Sequence, residues 1–480
     1  MNKITLINPK SGWFKGKYLP TNLSLGLLAI ATELDKRGYG VQVIDELDVD
    51  FKERFNASFS DTAIYIISVD IQSVKKSLEL SEHIKRRNGR AKIVWGSFWR
   101  GFFGKFVNMY PELALEPQSV DFIALSDVDL INFISSDLSN TNGIGYKQNS
   151  EKVVNYDISS ECLMDINYDL VDIEKNYINR VGLEVCTDKK SKRILPVFTG
   201  EGCPFKCTFC INSAPYIKNK FVLKEADKVI NEIKYLKSRY NVSHIWFQDD
   251  NLFADKERIF KLFDYMAKQD IQWAGQGRVE YFNNSYLSDE YFLSIVKNCC
   301  WFGVGYETYS DRLRRAFNKG SVTTEKLLHV FNLCKRANIV IAIAFIVGMV
   351  DETTDEILQD AQFILKLKDE YQKTSVTYQP FRPYPGTGEY QKISEKYTPY
   401  QPSSIYEYIE SSPFQNMKFH YWLTEKQKGL IRYLHKVVLV ANAKDSLNCF
   451  LRIIANAFYL IARYRIRNND FRFFVERYIV

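Results

Sequence analysis

Apolar and polar positions along the first third of the chain fall into alternating blocks. "KITLINP" is nearly continuous in apolar residues, as a strand buried on both faces would be. "LSLGLLAIATELDKRGYG" then repeats apolar residues at three-and-four spacing, which predicts a helix closed by Gly38 and Gly40. "VQVIDE", "TAIYIISV", "KIVWGSF" and "DFIALS" predict further strands, and "KKSLELSEHIKRRNG" and "DVDLINFISSDL" predict helices between and after them. Apolar strands separated by helices imply a parallel sheet covered on both faces, so residues 1–138 are expected to form a doubly wound α/β domain. The polar, Gly/Asn-rich stretch that follows has few periodic runs, and residues 139–192 are expected to be a linker.

The alternation resumes at Arg193. "RILPVFTG", "HIWFQDDN", "IQWAGQGR", "WFGVGYE", "IVIAIAFIVGM" and "SVTYQPF" predict six strands, with amphipathic helical runs between them. Six such repeats suit an open or partial β/α barrel over residues 193–395, with its chemistry at the C-terminal ends of the strands. Residues 396–480 turn helical and basic. Thr424 and Gln427 form a T-x-x-Q capping box, and "LNCFLRIIANAFYLIARYRIR" predicts a second helix.

Composition narrows the class. The chain has 480 residues, is 46% hydrophobic and 25% charged, and so has ample material for two or three packed domains. Aromatics reach 15%, which suggests broad apolar surfaces or pockets. The net charge of +7 resides in the C-terminal region from Thr424 onward, where eleven Lys/Arg face four Asp/Glu. The rest is balanced, and no nucleic-acid footprint is expected. The longest apolar run, Ile339 to Val350, is too short to span a bilayer, and the N-terminus enters a strand without a signal-type apolar segment. A cytoplasmic protein is the expectation.

Nine cysteines are too few and too scattered for a disulfide framework. Three of them, Cys203, Cys207 and Cys210, lie in "TGEGCPFKCTFCINSAP" with the spacing C-x-x-x-C-x-x-C. Structural zinc takes four N/S ligands, usually as two pairs, and no second pair exists here, because Cys299 and Cys300 are adjacent and read as a helix end. A thioredoxin-like pair would leave Cys203 surplus. Three thiolates could instead hold three irons of a four-iron, four-sulfur cluster and leave the fourth iron open. The loop follows the first barrel strand, on the face where barrel chemistry forms.

With Phe209 before the third cysteine, this motif resembles that of the radical S-adenosylmethionine (radical SAM) enzymes. The resemblance implies a 4Fe–4S cluster on Cys203, Cys207 and Cys210, with the open iron chelating S-adenosylmethionine. One electron, from a donor such as flavodoxin or ferredoxin, then cleaves the sulfonium to a 5′-deoxyadenosyl radical. Further segments are similar to the family's barrel motifs. "FQDDNLF" implies Asp249 and Asp250 near the amino group of S-adenosylmethionine. "GQGRVEYF" implies Arg278 pointed at cofactor or substrate. "GVGYET" implies Glu307 near the ribose, and "FIVGMVDET" implies Gly348 beside the adenine. "RPYPGTGEY" resembles the segment that closes the barrel, with Gly386 as a turn residue and Tyr384 as core or pocket lining.

The N-terminal segment "LSLGLLAIATELDKRGYGVQVIDE" resembles the flavodoxin-like cobalamin-binding domain that often precedes such barrels. Its expected corrin-contacting loop is altered: "WGSFWRG" keeps Gly96 and Ser97 as candidate cobalamin contacts but adds Phe98 and Trp99. His83, the domain's only histidine, sits in a charged helix, so a histidine ligand to cobalt is not expected. Either the aromatics line a reshaped cobalamin site or the domain is a relic serving as a lid. Retained cobalamin implies methylation of an unactivated carbon. Its absence implies radical cyclisation or rearrangement, and a non-catalytic metal-binding scaffold is a third reading. The basic C-terminal helix is expected either to pack on the barrel or to touch an anionic membrane surface, which would suit a lipid-like rather than a small polar substrate.

Overall fold

The computed structural model describes residues 3–10, 23–98, 104–178, 193–218, 221–283, 285–414, 417–443 and 449–470. Trp99, Cys186 and the C-terminal ten residues therefore lie outside the described residues.

The first sheet contains β1 (Lys3–Asn8), β2 (Gly40–Asp45), β3 (Thr62–Ser68), β4 (Lys92–Gly96), β5 (Phe122–Ala124), β6 (Ile144–Gln148) and β7 (Glu151–Val154). Its order is β2-β1-β3-β4-β5-β6-β7, and the first five strands are parallel. This is the doubly wound order expected, with the chain reversing its winding direction between β1 and β3. Residues expected to lie in the linker instead supply β6 and β7, which extend the sheet antiparallel. The sequence hid them because "IGYKQ" and "EKVV" are short and largely polar, and β7 lies at the sheet edge. The helix after β1, Leu25–Lys36, starts on Ser24 as N-cap, and nine of its residues are buried. It ends at Gly38, whose φ of +84° favours glycine, whereas Gly40 is already the first residue of β2.

The second sheet runs β15-β14-β13-β12-β11-β8, all parallel and in chain order. Its members are β8 (Ile194–Val197), β11 (His244–Phe247), β12 (Gln272–Gly277), β13 (Cys299–Glu307), β14 (Val340–Val347) and β15 (Thr374–Pro380). β8 and β15 do not pair, so the barrel is partial, as the six repeats predicted. A small antiparallel ladder of β9 (Gly200–Glu201) and β10 (Val222–Leu223) flanks the cysteine loop. Cys299 and Cys300 open β13 rather than ending a helix, since the preceding helix stops at Val296.

One apolar cluster runs from Ile4, Leu27 and Ile64 of the first sheet, through Tyr168, Val171 and Ile173, to Leu195 and Ile245 of the second. The segment between the sheets is thus partly core. The Tyr168 hydroxyl lies 2.9 Å from both the Pro196 carbonyl oxygen and Glu232 Oε1, which ties that segment to the barrel.

The C-terminal helices are Glu425–Ala443, with the expected Thr424–Gln427 capping box, and Cys449–Asn468. The second packs through Ala455, Phe458, Tyr459, Ala462 and Ile466, while Arg463 and Arg467 both pair with Asp369 of helix Thr354–Glu370. Its other face leaves Phe450, Ile453, Leu460 and Tyr464 exposed. Among the described residues no helix is long and apolar enough to cross a membrane.

Candidate active site

The cysteine loop leaves β8 at Thr199 and is anchored at both ends by buried polar groups. Asp249, at the end of β11, accepts from the Thr199 N–H at 3.1 Å and the Thr199 hydroxyl at 2.5 Å. Arg258 donates to the carbonyls of Thr199 and Lys224. Burial lifts the Asp249 carboxyl to about 6, against the pull of Arg258 and Thr199. The far end of the loop is held by Thr208, which takes part in three bonds: its N–H to the Phe317 carbonyl, its hydroxyl to Glu389 at 2.8 Å, and its carbonyl from the Glu389 N–H. Glu389 belongs to the helix Gly388–Lys396 that follows the barrel-closing turn. In that turn Gly386 has φ +80°, and a Cβ there would press on Pro215 and Tyr216. Tyr384 packs on Phe414.

Between these anchors the three thiols share one neighbourhood. Burial pushes the Cys210 thiol up to about 12, and the charges of Asp250, Cys207 and Cys203 act on it in the same direction. Cys203 is raised by burial as well. Two side-chain donors point at the other sulfurs: Asn251 Nδ2 stands 3.5 Å from Cys203 Sγ, and Arg278 Nη1 stands 3.5 Å from Cys207 Sγ. Arg278 also lies over the Phe205 ring, 3.6 Å from its centroid, and pairs with Glu280.

The donor set fits a cluster better than a single ion. Among the described residues no three His, Cys, Asp or Glu stand close enough to hold one metal ion. Three thiols in one short loop, with side-chain N–H donors at two of them, suit a cysteine-ligated iron–sulfur cluster. Two buried acceptors beside the loop, Asn251 Oδ1 and Glu280 Oε2, have no partner among the described residues and would accept from an ammonium group such as the one S-adenosylmethionine carries.

The expected site residues divide. Cys203, Cys207, Cys210, Arg278 and Asp250 come together, the last accepting from Asn212 at 2.9 Å. Phe209 meets Phe317 edge-on, with Lys319 Nζ 5.9 Å from its ring centre. That lysine makes a buried 2.5 Å ion pair with Glu307, whose φ of +75° is unusual for a residue with a side chain. Asp249 instead points inward to Thr199, as its neighbour Asp250 does not. Gly348, with φ +81°, has its N–H on Glu352 and its carbonyl on Trp422 Nε1, and a Cβ there would face Leu423 and Ile431 of the C-terminal region.

Asn251, Glu280 and Lys319 were not singled out from the sequence. Asn251 sits in the quoted "FQDDNLF", and the usable signal was chemical: an anionic sulfur needs a donor beside it, and the amide is one where the two carboxylates are not. Lys319 lies twelve residues beyond Glu307 and meets it only through the fold.

The candidate cobalamin contacts lie across from this loop. Gly26, Ser97, Phe98, Lys105, Asp127 and Glu201 border a narrow, partly open cleft, with about 30 Å³ of room for water-sized spheres, between the first sheet's C-terminal edge and the barrel. Ser97 is engaged in the backbone, donating to Val69 and accepting from Val107. Phe98, only 6% exposed, fills the glycine cradle of that edge. A Cβ on Gly26 would come within 1.6 Å of the Phe98 carbonyl oxygen, and one on Gly96 within 2.0 Å of the Phe98 ring. The lining is polar, as the amide-rich rim of a corrin would require, but a corrin needs more room than Phe98 leaves. His83, on its charged helix, is half-buried beside Phe55 and Phe59.

Residues 197–364 match the model of the Radical SAM superfamily, so this part of the chain, from the end of β8 through β14, is a radical SAM domain, and the chain is an enzyme. Over most of its length the chain is similar to the uncharacterized methyltransferase PH0819 of Pyrococcus horikoshii, with 24% identity over 415 residues, 81% of this chain and 82% of that protein. It is also 24% identical over 201 residues to the bacteriochlorophyllide d C-12(1)-methyltransferase of Chlorobaculum tepidum, 42% of either chain. Its backbone resembles that of TsrM from Kitasatospora setae, a radical S-adenosylmethionine methyltransferase whose structure holds cobalamin and a 4Fe–4S cluster. The TM-score is 0.61 at 14% identity, covering 82% of this chain and 78% of that one. At that identity the likeness is one of fold.

Proposed function

We propose that the protein is a cobalamin-dependent radical SAM methyltransferase acting on an unactivated carbon. The observation that carries this reading is the three-thiol loop at the head of the second sheet, with N–H donors on two of its sulfurs, in a chain that also carries a doubly wound domain. Cys203, Cys207 and Cys210 would hold the cluster, which when bound supplies the electron that cleaves S-adenosylmethionine. This chain's own residues do the rest. Asn251 and Glu280 would offer acceptors to the amino group, Phe209 and the Glu307–Lys319 pair wall the barrel end, and Lys105, Asp127 and Glu201 are the polar groups that would meet a corrin on the first sheet's side. Similarity to methyltransferases along most of the chain supports the methyl-transfer step.

The test is anaerobic reconstitution with hydroxocobalamin, S-adenosylmethionine and a reductant, followed by assay of 5′-deoxyadenosine and of methylcobalamin. Formation of both is expected. Cleavage of S-adenosylmethionine with no cobalamin bound at saturation would replace this reading with radical cyclisation or rearrangement, which the seating of Phe98 over Gly26 and Gly96 favours. A low-potential donor such as flavodoxin or ferredoxin is required in either case. Membrane contact through helix Cys449–Asn468 belongs to the same proposal, supported by its exposed apolar face, four arginines and lack of acidic residues. Flotation with phosphatidylglycerol vesicles is expected to carry the protein; its absence at low salt would remove the lipid-like substrate from consideration.

A further inference from the structure

The resemblance pointed Arg278 at cofactor or substrate. The structure instead places its guanidinium against a cysteine of the loop. Nη1 lies 3.5 Å from Cys207 Sγ, the plane lies over Phe205, and Nε meets Glu280 at 3.1 Å. Glu280 is itself held by the Ser321 hydroxyl at 2.7 Å, so the guanidinium cannot swing freely away. Asn251 makes the corresponding contact on a second sulfur, at 3.5 Å from Cys203, and is fixed by a 2.9 Å bond to the Tyr281 hydroxyl. Cys210 differs. Asn212 supplies it with a backbone N–H, and Asp250 adds negative charge nearby.

We propose that Arg278 and Asn251 are positioning residues that set the reduction potential of the cluster, by donating N–H···S hydrogen bonds to Cys207 and Cys203. The inference rests on the radical SAM reading of the three cysteines. Its physical basis is charge. Reduction adds one electron to a cluster already bound by anionic sulfurs. Donors and positive charge beside those sulfurs stabilise the reduced state and make the potential less negative. Burial strengthens the effect, because little water competes for the sulfurs. Arg278 carries a full charge and Asn251 only a dipole, so Arg278 has the larger share. Glu280 offsets part of the charge while aiming the guanidinium at Cys207.

The test is a redox titration of the full chain, reconstituted anaerobically without S-adenosylmethionine and followed by the electron paramagnetic resonance signal of the reduced cluster. Arg278→Met is expected to make the potential more negative than in wild type. Arg278→Lys is expected to fall between the two, since it keeps the charge and loses the fork. Asn251→Leu is expected to shift it in the same direction as Arg278→Met but less. Should Arg278→Met lose iron because its stacking on Phe205 is gone, Asn251→Leu and Arg278→Lys still decide the matter. Variants with wild-type iron content and an unchanged or less negative potential overturn the inference alone. A wild-type chain that assembles no four-iron cluster overturns the radical SAM reading instead.

Discussion

The parallel strands of the two sheets end in the same kind of edge, at their C-terminal ends, and the two edges are finished differently. On the second sheet the strand ends bring outward the groups that chemistry requires: three thiols, an amide and a guanidinium aimed at sulfur, and a buried ion pair. On the first sheet the corresponding space is taken up by the chain itself, with Phe98 seated on Gly26 and Gly96. Buried polar atoms without a partner among the described residues stand at both edges: Asn251 Oδ1 and Glu280 Oε2 beside the thiols, and Ser68 Oγ at the end of β3, beside Gly96. What differs is the space above them, which Phe98 fills on the first sheet.

That contrast is open to experiment. The largest effect is expected at the thiols. Replacing any of Cys203, Cys207 or Cys210 with alanine should abolish both cluster assembly and S-adenosylmethionine cleavage, read as iron content and 5′-deoxyadenosine. An active variant would end the claim that the second edge holds the chemistry.

Next is the buried pair beside Phe209. Glu307→Gln leaves Lys319 charged and unpartnered, and should cost about 3 kcal/mol in urea unfolding of the barrel. The double variant with Lys319→Met should lie closer to wild type, because it removes the stranded charge.

At the first edge, Gly26→Ala forces a methyl into the Phe98 carbonyl and should cost about 1–3 kcal/mol. Phe98→Ala empties the cradle and should tighten hydroxocobalamin binding several-fold in an absorbance titration. Equal affinity in the two proteins would show that the cofactor's tail does not use that cradle.

The smallest effect is electrostatic. Asp249 holds its proton up to about pH 6 in the folded chain, against 3.8 as its ordinary value. The folded state therefore binds more protons than the unfolded state between about pH 4 and about pH 6. Its contribution falls as pH rises through that window and is level above it. Asp249→Asn should flatten that part of the stability profile, measured as thermal midpoint against pH.

Much of the fold was legible because periodicity is a local property. The strands from "KITLINP" to "SVTYQPF" lie where apolar runs placed them, and the capping box at Thr424 formed as its spacing required. The polar strands β6 and β7 carried no such signal; they exist because the edge of an already formed sheet offered them partners. The loop cysteines were legible because their ligand spacing lies within one short segment. Asp249 and Asp250 looked equivalent in "FQDDNLF", and only the alternation of side chains at the end of β11 sent one toward Thr199 and the other toward Asn212.

The sequence by itself determined two α/β layers in succession, a cysteine loop at the head of the second, and a basic helical end, because hydrophobic period and motif spacing are written in neighbouring residues. Only the tertiary structure decided which groups surround the sulfurs. Arg278 and Asn251 reach Cys207 and Cys203 from strand ends 71 and 48 residues away in sequence, and Lys319 finds Glu307 inside the barrel. It alone decided that Phe98 would occupy the glycine cradle of the first sheet. Contacts of that kind depend on which strand ends share an opening, and strand order, not the local pattern of residues, settles that.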